Sequence, residues 1–201
     1  MRYYIADCHF FHENMNNRMD MRGFFSKEEM NKYMIKQWNG RVKRNDEVVI
    51  LGDLSYGNAK ETETVLQTLN GVKTLIIGNH ERYLNDKAFN KALFKKISYY
   101  EEMNDNKRKV ILSHYPIFCY NGQNRLDELG NPKTYMLHGH THNTDDQTLV
   151  DKFIQETKKI KRFISGKEIS IPCNIINCFC MRSDYVPLTL DEWIVVDKKS
   201  S

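Results

Sequence analysis

The stretch Val72-Lys73-Thr74-Leu75-Ile76-Ile77-Gly78-Asn79-His80-Glu81 sets the fold of the chain. Its aliphatic and β-branched start predicts a buried strand over Val72 to Ile77, and the strand stops abruptly in a glycine followed by polar groups. Outward in both directions the same unit recurs. Tyr3 to Ala6 runs into Asp7-Cys8-His9, Val48 to Leu51 into Gly52-Asp53, and Lys109 to Leu112 into Ser113-His114. A weaker strand, Thr134 to Leu137, leads through His138 into Gly139-His140-Thr141-His142. Between the first two strands, Ser26 with Glu29 has the pattern of a capping box, and Met30, Tyr33, Met34, Gln37 and Trp38 fall at helical spacing before Gly40. Ala59 to Leu69 predicts a second helix, stopped by Asn70-Gly71. Strands alternating with helices predict an α/β domain.

Further along, Phe89, Leu93 and Phe94 predict a helix over Asn85 to Lys96, and Asn104-Asp105-Asn106-Lys107 predicts a hairpin turn. Leu149, Val150, Phe153, Ile154 and Ile160 predict a helix from Asp145 to Phe163, with Lys158, Lys159, Lys161 and Arg162 crowded at its end as a helix cap or a solvated face. Asn174 to Cys180 reads as a last core strand, Pro187 to Val196 as a closing segment around Trp193, and Lys198 to Ser201 as a tail. No repeat or linker marks a boundary, so the expectation is a single domain over 1–201 with a helical insertion at 143–171.

A chain of 201 residues with 40% hydrophobic and 28% charged residues is long enough to bury a core unaided, and its composition excludes disorder and fibrous repeats. No run approaches the roughly 18 apolar residues of a membrane span, and no leader precedes the first strand, so a cytoplasmic address is expected. Five cysteines without paired spacing fit buried thiols in a reducing compartment better than a disulfide framework or a thiolate zinc site. A net charge of +4 tolerates an anionic partner without demanding nucleic acid.

All seven histidines, His9, His12, His80, His114, His138, His140 and His142, lie in the polar corners that follow or close these strands. Taken singly, each has an ordinary structural explanation. Five polar corners in order, at the strand ends where open α/β folds gather ligands, point instead to one site. In an extended chain residues i and i+2 point the same way, so Asp7 with His9, and His140 with His142, can each aim two donors inward, as a pair of metal ions requires. Carboxylate and imidazole donors with an amide oxygen from Asn79 suit borderline first-row ions better than calcium or magnesium. Asp53 is the natural bridge between two such ions.

The ordered pattern D-x-H, G-D, G-N-H-E, a lone H and G-H-x-H resembles the calcineurin-like metallophosphoesterase superfamily. His9-Phe10-Phe11-His12-Glu13-Asn14, Ser113-His114-Tyr115-Pro116 and Pro187-Leu188-Thr189-Leu190-Asp191-Glu192 resemble its compact bacterial and phage members. The resemblance implies a four-layer αββα sandwich with two mixed β-sheets packed face to face. It implies one ion held by Asp7, His9, Asp53 and His142 and a second by Asp53, Asn79, His114 and His140. Manganese is the first choice of metal, with iron, zinc, nickel and cobalt compatible. The implied chemistry is hydrolysis of a phosphodiester or phosphomonoester by a metal-bridged hydroxide. His80 would assist the leaving oxygen, with Asn79 and His80 contacting substrate and His12 either joining them or standing as an ordinary surface histidine. Glu81 is expected to orient a neighbour through a hydrogen bond or, in the favoured reading, to serve a structural salt bridge, and His138 is expected as a packed or supporting residue. The modest charge of +4 and the expectation of no second domain favour a small phosphorylated or nucleotide-like substrate over nucleic acid, and Gly52-Asp53-Leu54-Ser55-Tyr56-Gly57 lacks the G-D-x-x-D-R-G block of the protein-phosphatase branch. A second reading, a metal-bearing scaffold that binds partner proteins, uses the same fold without turnover. Oligomeric state is not fixed by these residues.

Overall fold

The computed structural model describes residues 1–164 and 166–200. β1 (Arg2–Ile5), β2 (Glu47–Ile50), β3 (Val72–Ile76) and β4 (Lys96–Ser98) form a parallel sheet in that order. The period of two in these strands splits their side chains between two cores. Tyr3, Ile5, Val48, Ile50 and Leu75 face the outer helices, while Tyr4, Ala6, Val49, Leu51 and Ile76 face inward. After the short turn α1 (Asn14–Asn17), the outer layer consists of α2 (Lys27–Arg41), which buries Met30, Met34 and Trp38, and α3 (Ala59–Thr68), which buries Val65 and Leu66.

The second sheet has the order β10–β7–β6–β5, from β5 (Tyr100–Asp105), β6 (Arg108–Ser113), β7 (Thr134–His138) and β10 (Ile175–Asn177). It is mixed, because β5 and β6 form a hairpin while β6, β7 and β10 run parallel. Asn106 and Lys107, the two turn residues, both have positive φ, as a tight two-residue hairpin demands. Val110, Leu112, Leu137 and Ile176 fill the space between the sheets, and Ile111, Met136 and Ile175 pack outward with Val150 of α4 (Asp145–Lys159). The result is the four-layer sandwich.

The sheets meet at one corner. Ala6 N–H donates to the Cys178 carbonyl at 2.8 Å, Cys180 N–H donates to the Ala6 carbonyl at 3.0 Å, and Leu188 makes an antiparallel bridge to Tyr4. From α5 (Leu190–Ser200), fully buried Trp193 closes this seam by donating from its indole N–H to the Tyr4 carbonyl at 2.9 Å. The seam brings the carboxyl ends of β1, β2 and β3 against those of β6 and β7, which is where the polar corners lie.

Four expectations are corrected. The helix over Asn85 to Lys96 is absent: a 3-10 turn, Arg82–Asn85, ends where that helix would begin, and turns and a second 3-10 turn, Lys91–Leu93, lead to β4. There the Asp86 and Asn90 side chains accept from the Ala88 and Ala92 amides, local bonds that compete with helical ones. The helix from Asp145 ends at Lys159, and the rest of the predicted helical insertion forms a hairpin of β8 (Lys161–Ile164) and β9 (Lys167–Ser170) around Gly166, whose φ is +78°. Lys158 and Lys159 therefore occupy the last helical turn, while Lys161 and Arg162 lie on a strand. Lys198 to Ser200 continue α5 instead of forming a tail, and Ser201 lies outside the described residues. At α2, Ser26 accepts from the Glu29 amide, but the Glu29 carboxylate turns to the Phe25 amide, so the box is only half formed. The complete capping box belongs to Asn58 and Glu61 of α3.

Candidate metal centre

The corners are not extended, as the pairing of i with i+2 assumed. Asp7, His9, Asp53, His140 and His142 all have φ between +47° and +68°, the left-handed region that non-glycine residues avoid. Such a residue costs on the order of 1–3 kcal/mol and persists only where its surroundings hold it. Five strained donors beyond the ends of three strands, β1, β2 and β7, converge because the backbone turns each one inward. The neighbouring glycines make room: a Cβ on Gly52, whose φ is +88°, would sit 2.2 Å from His114 Nδ1, and one on Gly78 would sit 2.3 Å from Asp53 Oδ1.

Two groups of donors meet at Asp53. On one side, His9 Nε2 lies 3.2 Å from His142 Nε2 and 3.5 Å from Asp53 Oδ2, and His142 Nε2 lies 3.8 Å from Asp7 Oδ1. On the other, Asn79 Oδ1 faces His114 Nε2 at 2.9 Å and His140 Nδ1 at 3.0 Å, and His114 Nε2 lies 3.6 Å from Asp53 Oδ2. Asp7, His9, Asp53 and His114 are at most 2% exposed, whereas Asn79 is open to solvent and His140 is half-buried.

What stands behind the donors fixes their protonation. His114 Nδ1 donates to the Leu51 carbonyl at 2.8 Å, so Nε2 carries a lone pair. That lone pair faces the Asn79 oxygen. The two face each other at 2.9 Å as a shared cation would require, and burial lowers the His114 pKa. His142 Nδ1 donates to Asp20 Oδ1 at 2.6 Å, which likewise frees Nε2 and raises the His142 pKa against the effect of burial. Burial pushes the Asp7 carboxyl up to about 7 and lowers His9 well below its ordinary value. His9 Nδ1 is buried without a partner. Separations of 3.2–3.8 Å are too long for good hydrogen bonds but close to the edges of a coordination shell, roughly 3.4 Å for bonds of about 2.1 Å. The donor set fits a divalent metal, and two groups, Asp7 with His9 and His142, and Asp7 with Asp53 and His114, could each hold an ion.

Asp20 and Arg22 have no part in the sequence reading. Arg22 is almost wholly buried, pairs with Asp20 at 2.7 Å, and donates to the carbonyls of Cys8 at 2.7 Å and Asp7 at 3.0 Å. It thereby pins the first corner while Asp20 orients His142. Of its two expected roles Glu81 takes the hydrogen-bonding one, with no salt bridge among the described residues. Its two oxygens accept from the Leu54 amide at 2.9 Å and the Gly78 amide at 2.7 Å, clamping the second corner to the third. Burial, with the Asp53 charge nearby, raises its pKa to about 8.

The His80 amide donates to Asp53 Oδ1 at 2.9 Å, and its ring Nε2 stands 4.0 Å from Asp53 Oδ2 at the rim of the site. His12 lies behind it, stacked on Tyr56 at 4.0 Å between centroids and 5.4 Å from the His9 ring. Tyr115 flanks the opposite side, edge-on to His140 at 4.4 Å. His138 points away from the donors and hydrogen-bonds the Gly139 carbonyl through Nδ1 at 2.7 Å. Cys8, between two donors in sequence, is buried in the core under the outer helices.

An αββα sandwich with clustered histidines and carboxylates at its central strand ends defines the class of two-sheet metal-dependent phosphoesterases. The family model for calcineurin-like phosphoesterases matches residues 3–173, and the chain belongs to that family. It is 33% identical over 193 residues to the uncharacterized protein MJ1445 of Methanocaldococcus jannaschii, covering 94% of this chain and 86% of that one. It is also similar to the gene 66 protein of Mycobacterium phage L5, 27% identical over 70% of this chain and 76% of the phage protein. Among solved structures, the protein of unknown function AQ665 from Aquifex aeolicus shares the fold, with a TM-score of 0.66 at 22% identity and 98% of each chain covered. Among the described residues no helix is long and apolar enough to cross a membrane.

Proposed function

We propose that the protein is a hydrolase of small phosphoric esters that uses two divalent ions, manganese foremost, with Asp53 shared between them. The observation that carries this reading is the Asp53 carboxylate, whose Oδ2 lies within 3.5–4.0 Å of nitrogens of His9, His114 and His80. In this assignment Asp7, His9, Asp53 and His142 hold one ion, and Asp53, Asn79, His114 and His140 hold the other. When bound, such ions lower the pKa of water towards about 7 and neutralise phosphoryl charge.

The chain's own groups do the rest. Asp20 and the Leu51 carbonyl keep the protons of His142 and His114 on Nδ1, so that both Nε2 atoms stay available as donors of electron pairs. The Asn79 oxygen is turned to His114 and His140, leaving its amide N–H₂ to donate to a phosphoryl oxygen. His80, held to Asp53 through its backbone, presents Nε2 at the rim to deliver a proton to the departing oxygen. His12, stacked under Tyr56, supports the substrate side of that rim.

The test is hydrolysis of bis(4-nitrophenyl) phosphate and 4-nitrophenyl phosphate by protein stripped of metal and reloaded with manganese. Turnover that appears with manganese and is absent from Asp53→Asn is expected, and the preferred ester selects diester or monoester chemistry. Two bound ions without turnover of either ester would favour the scaffold reading.

A further inference from the structure

Beside the metal centre, a cleft of about 450 Å³ opens at the carboxyl ends of β3 and β4. Gly78 and Asn79 form its inner wall, so it is continuous with the site, and it runs outward between the 3-10 turn bearing Arg82 and the residue after β4, Tyr99. This is the end of a parallel sheet where ligands bind, and the volume suits a small organic group. Its charged lining is cationic. Arg82 and Lys91 both line it, both are exposed, and neither has a carboxylate partner among the described residues. The Arg82 guanidinium lies over the Tyr56 ring, 5.7 Å from its centroid, which orients it without neutralising it. The one carboxyl on the wall, Glu81, is turned inward with both oxygens engaged by backbone amides. Tyr99 is 74% exposed and offers a ring at the cleft mouth.

We propose that this cleft is the subsite for the group attached to the scissile phosphorus, and that it takes a nucleotidyl group bearing a second phosphate. Arg82 and Lys91 hold the second phosphate, and Tyr99 stacks on the base. A simple alkyl or aryl monoester has no use for two unpaired cations one subsite away from the reacting phosphorus. Arg82 and Lys91 on the wall of one cleft supply cations that match a phosphate, and Tyr99, which also lines the cleft, supplies an aromatic ring that matches a planar base. The proposal rests on the phosphoesterase reading for the position of the scissile phosphorus and adds the class of substrate.

Two measurements on manganese-loaded protein test it. In the first, thymidine 5′-(4-nitrophenyl phosphate) is compared with the same ester carrying a 3′-phosphate. The 3′-phosphate is expected to raise kcat/KM about tenfold or more in the wild type, as charge-assisted contacts do. In the Arg82→Ala/Lys91→Ala variant the ratio should fall towards one. The second is calorimetric titration with thymidine 3′,5′-bisphosphate, expected to bind the wild type about tenfold more tightly than the double variant, with Lys91→Ala alone in between. Equal binding to wild type and double variant, or a 3′-phosphate that brings no gain, would overturn the subsite. If neither ester is hydrolysed while the difference in binding persists, the phosphoesterase reading fails and the cleft stands.

Discussion

The donors gathered around His142 and those gathered around Asn79 share Asp53 but differ in what stands behind them. On the His142 side, Asp7, His9 and His142 are all buried, Asp20 orients the imidazole, and Arg22 ties the Asp7 and Cys8 carbonyls to that carboxylate. On the Asn79 side, only His114 is deeply buried and braced by a backbone carbonyl, while Asn79 and His140 face solvent between Tyr115 and the β3–β4 cleft. One half is closed and braced, the other is open to solvent. On the proposed reading the closed half would hold its ion the more firmly, and the open half is where solvent reaches the donors.

The largest effect is expected from removing what the halves share. Asp53→Asn should lower ester hydrolysis by at least about a thousandfold and leave fewer than two ions bound, read by elemental analysis after gel filtration. Next comes His80→Ala, which should cut kcat by roughly 10²–10⁴ while leaving metal content unchanged, because the imidazole touches Asp53 only at long range. A wild-type rate in that variant would remove His80 from the reaction. Asp20→Asn sharpens the comparison directly. It should weaken binding of one ion by about 10–100-fold and leave the other in place, giving two well-separated steps in a manganese titration. Uniform weakening of both ions would show that the closed half is not separately braced.

The smallest effect concerns the metal-free protein. Burial raises Asp7 to about 7 and Glu81 to about 8, above ordinary carboxyl values, so their contribution to stability is present at low pH and is lost as pH rises through those values. The imidazoles of His9, His114 and His140, lowered by burial, act in the opposite sense, but above about pH 7 they are neutral in folded and unfolded chains alike. Between pH 7 and about 9 the melting temperature of protein kept in chelator should therefore fall, and saturating manganese should flatten the decline. A melting temperature that rises over this window would contradict the raised carboxyls.

The strand ends were legible in sequence because an aliphatic run closed by glycine and a polar donor is a local signal, and it places all seven donors in one region. The way the donors converge was not legible. Left-handed backbone at Asp7, His9 and Asp53 is imposed by contacts between corners, such as the Arg22 and Glu81 clamps, which join residues 15 to 27 positions apart. Asp20 was missed for the same reason: it lies in a loop without periodicity and meets His142 across 122 positions. In the Asn85–Lys96 segment, helical spacing of Phe89, Leu93 and Phe94 misled because Phe89 and Phe94 pack into the core from bends beside a 3-10 turn, with Asp86 and Asn90 holding the backbone out of helix. At Lys161 to Phe163, the expected helix ran on past the real helix end because these strand residues are exposed and carry no burial signal of their own.

Anomalous diffraction at the manganese edge, from crystals grown with the metal, tests the central claim most directly. Two peaks are expected, both within coordination distance of the Asp53 carboxylate, one beside His9 and His142 and the other beside Asn79, His114 and His140. A single peak, or peaks that leave Asp53 uncoordinated, would contradict a shared carboxylate at the junction of the two halves.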